Sequence, residues 1–217
     1  MFELTPWTTP KSIADFDRLL TGVVIAVALF LLLYPIGAGG DLNVILQQNI
    51  NIIYILFLLS FSFTMMTIKP TIYAGIGTKQ SAIKGIFFGA IVGLVMIISM
   101  NFKLSTPLAS TLSTSEVIAA FYLAFIIPFA EERFFGQTFP YLINRVAKNG
   151  WISLVVSSLI FGGFHLFAYG AVSGLIIAAI LFRFMATFGN ELLKTNTFGL
   201  TVHYINNITT VARTFMV

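Results

Sequence analysis

Two histidines, one adjacent pair of glutamates and a pair of asparagines interrupt apolar stretches that otherwise carry almost no ionisable side chain. These residues are Glu131 and Glu132, His165, His203, and Asn207 with Asn206 beside it, all in the second half of the chain. An ionisable group inside a membrane is costly and marks a site by default. Glu131, His165 and His203 offer the donor types that hold a divalent metal such as zinc with one position open for water. The same residues can also work without a metal, a Glu and a His activating water while the second His and an Asn stabilise an oxyanion. Either arrangement hydrolyses an acyl bond.

Spacing narrows the roles. His203 and Asn207 are four apart and share one helix face. At about 100° per residue, Asn207 lies roughly 40° round the helix from His203, and Asn206 roughly 60° away on the other side. The same arithmetic sets Glu131 and Glu132 about 100° apart, so the two are not expected to face one ligand squarely. Arg133 falls nearly opposite Glu131.

The elements that must carry these residues are apolar helices. Hydrophobic residues make up 58% of the 217 and charged ones 9%, against roughly 25% charged in a soluble domain. A chain so poor in charge cannot cover a water-facing surface. It reads as all-α, a polytopic transmembrane helical bundle of about seven spans (six to eight) forming one transmembrane domain over residues 1–217. The apolar windows are Leu19–Gly37, Ile50–Ile68, Ile83–Met100, Val117–Ala130, Ile152–Tyr169, Ala171–Phe188 and Phe198–Val217. The first is too long for a cleaved signal segment and reads as a span. Helical character in the fourth continues to Lys148, and Glu116–Lys148 as one helix would run roughly 48 Å. Pro128 and Pro140 are expected to bend or break it, the alternative being a short span followed by an amphipathic surface helix. Centring the windows puts Glu131 near mid-depth, His165 roughly 8 Å toward one surface and His203 roughly 6 Å toward the other.

The net charge of +4 comes from twelve basic residues scattered in ones and twos, which excludes a nucleic-acid surface. Lys11, Arg18, Lys69, Lys79, Lys84, Arg145, Lys148 and Lys194 fall on one side of the predicted topology, and Lys103 and Arg213 on the other. That asymmetry predicts a cytoplasmic N-terminus in a multi-pass protein of the cell membrane, expected to be prokaryotic. Arg183 is expected to snorkel to the inner surface. Gly85, Gly89 and Gly93 form a small-residue ridge for close helix packing. There are no cysteines, so nothing points to a disulfide framework or a thiolate metal site.

At the polar residues the chain resembles the CPBP family of intramembrane metalloproteases, which includes the type II CAAX prenyl proteases and the bacteriocin-immunity Abi proteins. The family pattern is E-E-x-x-x-R, then F-x-x-x-H, then H-x-x-x-N or H-x-x-x-D. Here "EERFFGQ" supplies Glu131 and Glu132, "FGGFH" supplies Phe161 and His165, and "HYINN" supplies His203 and Asn207. The resemblance covers residues 115–212 and leaves 1–115 as N-terminal spans without a motif. It implies Glu131 and His165 as the water-activating pair and His203 and Asn207 as the oxyanion site, with or without a metal. The family arginine would stand at position 136, where this chain has Gly136. Arg133 or Arg183 then takes its place, or Glu132 is held in another way, or activity is weakened.

The resulting expectation is an endopeptidase that cuts a membrane-associated peptide or protein, a prenylated CAAX-type tail being one substrate, with the lipid bilayer as its other partner. Other readings are a non-catalytic scaffold or immunity protein, and a Glu/His ion or proton transporter. The transporter would need further ionisable residues along a path, and the first three spans have almost none. A rhomboid-like serine protease using Ser173 in "AVSG" would want Gly where Ala171 stands. Ser173 reads instead as a helix-start or packing residue.

Overall fold

The computed structural model describes residues 4, 7, 9–37, 39, 50–68, 75–99, 120–169 and 173–215. Lys69, Lys103, the start of the fourth window (117–119) and residues 171–172 lie outside them. The described residues form seven helical segments and no strand. These are α1 (Lys11–Gly37), α2 (Ile50–Ile68), α3 (Lys79–Ser99), α4 (120–147), α5 (Gly150–Tyr169), α6 (Ser173–Leu193) and α7 (Thr197–Phe215). They follow the seven apolar windows, and Ser173 opens α6 as a helix-start residue. By length and apolarity α1, α2, α3 and α6 can each cross a bilayer unaided. The chain is a helical membrane bundle.

Of the expected bend or break at the prolines, no break occurs: helix α4 runs on past both, because each proline follows a wide turn. Tyr122–Ile126 and Glu132–Thr138 are π-helical, and Pro128 and Pro140 come two residues after them. A proline ring collides with the carbonyl four residues earlier in a regular helix, and widening the preceding turn moves that carbonyl aside. The helix ends at Lys148, in left-handed conformation with φ 49°. The Asn149 side chain then accepts from the backbone N–H groups of Trp151 (3.0 Å) and Ile152 (3.3 Å), capping α5. So tight a link keeps α4 and α5 side by side.

The apolar core lies between α2, α4, α5 and α6, with Ile55, Leu58, Leu59, Phe129, Ala130, Phe135 and Phe161 buried together. On α1, Phe16, Leu19, Val23, Val27 and Phe30 are exposed, the outward apolar face that lipid requires. The glycine ridge packs α3 on α7: Gly85 faces Thr195 and Thr197, Gly89 faces Phe198 and Thr201, and Gly93 faces Ile205. Position advances together on both helices, so they run parallel. A Cβ on Gly89 would stand 2.8 Å from the Phe198 carbonyl oxygen, and the ridge is there for close approach.

One end of the bundle gathers the basic residues. Trp7 Nε1 donates to the Gly75 carbonyl (2.8 Å), Asn144 Nδ2 to the Leu4 carbonyl (2.7 Å) and Thr195 Oγ1 to the Ile76 carbonyl (2.6 Å). These bonds bring the start of α1, the start of α3, the end of α4 and the α6–α7 turn to a common face. Lys11, Lys79, Arg145, Lys148 and Lys194 therefore stand on the same side. Gly77 in this seam has φ +80°, and a Cβ there would run into the Lys194 carbonyl.

Candidate active site

The two glutamates sit where α4 changes from a regular turn to a wide one, Glu131 closing the first and Glu132 opening the second. A π turn rotates less per residue than an α turn, which draws the pair closer in angle than a regular helix allows. Both consequently reach the same side chain, contrary to the expectation from regular helical spacing. His203, buried on α7, has Nε2 at 3.3 Å from Glu131 Oε2 and Nδ1 at 3.1 Å from Glu132 Oε1. The Glu132 contact is a hydrogen bond, and Glu131 stands beside the other ring nitrogen.

The rest of each carboxylate's surroundings differ. Glu132 accepts two parallel bonds from Arg183 on α6, Nη1–Oε1 at 2.7 Å and Nη2–Oε2 at 3.0 Å. This forked geometry is the strong form of a guanidinium–carboxylate pair. Arg183 is 0% exposed, so it does not snorkel. It is held inside the bundle by Glu132, by Thr187 Oγ1 at 3.2 Å from its Nε, and by the Phe161 ring 5.4 Å away. A Cβ at Gly136 would lie 2.5 Å from Glu132 Oε2 and 3.4 Å from Arg183 Nη2. The glycine makes room for a guanidinium that arrives from another helix, and Arg183 is the residue that holds Glu132.

Glu131 has no such cation against it among the contacts described. Its Oε1 accepts from the hydroxyl of Tyr54 on α2, at 3.0 Å. Arg133, next along α4 but turned away, pairs with Asp17 of α1, donates to Gln137 Oε1 at 3.0 Å and lies over the Phe129 ring at 4.5 Å. Sequence reasoning missed both N-terminal contributors, Tyr54 and Asp17. The available signal for Tyr54 was a lone phenol in an apolar span, since a buried Tyr O–H seeks a partner.

His165 is partly buried on α5, with Nδ1 2.9 Å from the Phe161 carbonyl one turn earlier. The Phe161 ring touches both imidazoles, at centroid distances of 4.4 Å to His165 and 6.3 Å to His203. Asn207 shares the α4-facing side of α7 with His203, and its Nδ2 donates to the Leu123 carbonyl at 2.9 Å. The geometry of α4 explains that bond. The Ile127 N–H that would serve Leu123 in a regular helix bonds Tyr122 instead, and the next residue along, Pro128, has no N–H. Asn206 Nδ2 is 3.3 Å from Asn207 Oδ1 and supports it.

Among the described residues no three His, Cys, Asp or Glu side chains are grouped to hold a metal ion. The arrangement can supply a carboxylate base, an imidazole beside it and fixed polar donors.

Residues 113–209 match the family model described as type II CAAX prenyl endopeptidase Rce1-like. The matched segment contains Glu131, Glu132, His165, His203 and Asn207. Neither the curated proteins nor the solved structures gave a match to the chain.

Proposed function

We propose, from the premise that residues 113–209 are a segment of the Rce1-like type II CAAX prenyl endopeptidase family, that the protein is an intramembrane endopeptidase using water activated by Glu131. The observation that carries this reading is the pair of buried carboxylates, one tied to a guanidinium and the other bonded to a phenol with an imidazole 3.3 Å away. Glu131 takes a proton from a water molecule, and the water oxygen attacks the scissile carbonyl. The peptide C–N bond breaks, and the proton passes to the departing amine. Glu132, fixed by Arg183, holds His203 in place. The family resemblance gives His165 a share in activating the water and His203 with Asn207 the stabilisation of the oxyanion. Asn207 would have to exchange the Leu123 carbonyl for that role.

The substrate class is a peptide or protein lying in or on the bilayer, a prenylated CAAX-type tail being the one suggested by the family description. By the positive-inside rule the basic face of the bundle, and the N-terminus with it, is proposed to face the cytoplasm, in a cell membrane proposed to be prokaryotic. The test is cleavage of a membrane-peptide library by the purified protein in detergent. Wild-type protein should cut, and Glu131→Ala and His165→Ala should not. Full cleavage by Glu131→Ala would eliminate the mechanism, and Glu131-dependent ion flux in liposomes without cleavage would establish a transporter instead.

A further inference from the structure

We propose that Tyr54 is a positioning residue of this site, its hydroxyl aiming the Glu131 carboxylate at the water it deprotonates. The inference rests on the reading of Glu131 as the base. Helix α2 lies outside the segment that matches the family model, so the family motifs assign this residue nothing. Its hydroxyl is hydrogen-bonded to Glu131 Oε1 at 3.0 Å, while His203 Nε2 lies 3.3 Å from Oε2. The Tyr54 bond ties one carboxylate oxygen to a fixed ring and leaves lone pairs on the group for water.

The phenol suits this task better than a cation. A guanidinium placed as Arg183 is on Glu132 occupies both oxygens with two parallel bonds. A hydroxyl takes one acceptor position and brings no counter-charge. The ring that carries it is itself held, packed against the core cluster and 6.0 Å from Phe164, the residue before His165. Helix α2 thereby completes a site whose other polar members come from α4, α5, α6 and α7.

Tyr54→Phe removes the hydroxyl and keeps the ring. In detergent on a cleaved membrane peptide, kcat should fall roughly 10–100-fold, the equivalent of one hydrogen bond to a charged group. KM should stay within about twofold, since substrate contacts do not change. Phe164→Leu loosens the same ring while sparing the hydroxyl, and should lower kcat much less than Tyr54→Phe. Equal losses in the two variants, or wild-type kcat in Tyr54→Phe while Glu131→Gln is inactive, would overturn the role of Tyr54 and leave Glu131 as the base. Cleavage by Glu131→Gln at the wild-type rate would overturn both.

Discussion

Glu131 and Glu132 are neighbours in sequence, both buried and both in contact with His203, yet the regions around them are built to opposite ends. Around Glu132 the protein provides a guanidinium with no exposure, two parallel bonds and a glycine that leaves space for them. Around Glu131 it provides one hydroxyl and one ring nitrogen. A carboxylate saturated by a forked cation has little left to offer a reacting water. One that accepts a single hydrogen bond keeps lone pairs to spare. When paired carboxylates have such different surroundings, their roles separate: Glu132 is the anchored one, and Glu131 is the one proposed to react.

The contrast can be broken from either side. The largest effect on stability is expected at Arg183. Arg183→Leu leaves the Glu132 carboxylate buried without its partner, a loss of about 3–5 kcal/mol, measurable as a lower denaturation midpoint in detergent. Gly136→Arg alone should also destabilise, because the new side chain meets Glu132 and Arg183 at once. Combined with Arg183→Gly it should recover part of the loss, by returning the guanidinium to the position the family pattern gives it. A smaller effect is expected at Asn207. Asn207→Ala removes the donor from the Leu123 carbonyl and should cost about 1–3 kcal/mol, while Asn206→Ala should cost less. Ser173→Ala should leave cleavage unchanged and stability within about 0.5 kcal/mol.

Much of the fold was legible because lipid imposes a simple rule. Long runs without charge must be helices, and the windows ending at Gly37 and spanning Ile50–Ile68 fall on α1 and α2. The glycine ridge on α3 could be read because close helix approach depends only on small residues at regular spacing. The polar residues that converge were legible by type, since Glu131, Glu132 and His203 do meet. How they meet was not. Angular reasoning assumed an α-helix through the glutamates, while two prolines impose wide turns that change the step between residues. The partner of Glu132 was open between arginines, because the choice depends on α6 approaching α4 at Gly136. Snorkelling was the wrong expectation for Arg183, since a buried anion outweighed the distance to water. Tyr54 was overlooked because a tyrosine in an apolar span satisfies the hydropathy rule as well as a phenylalanine does.

The most direct measurement sets Glu131→Gln beside Glu132→Gln in purified form, recording cleavage of a membrane peptide and the denaturation midpoint of each. The account predicts that Glu131→Gln folds with nearly wild-type stability and loses about 10²–10⁴-fold in kcat, whereas Glu132→Gln is clearly destabilised through its loss of charge opposite Arg183. Full activity in Glu131→Gln, with activity lost in a stable Glu132→Gln, would contradict it.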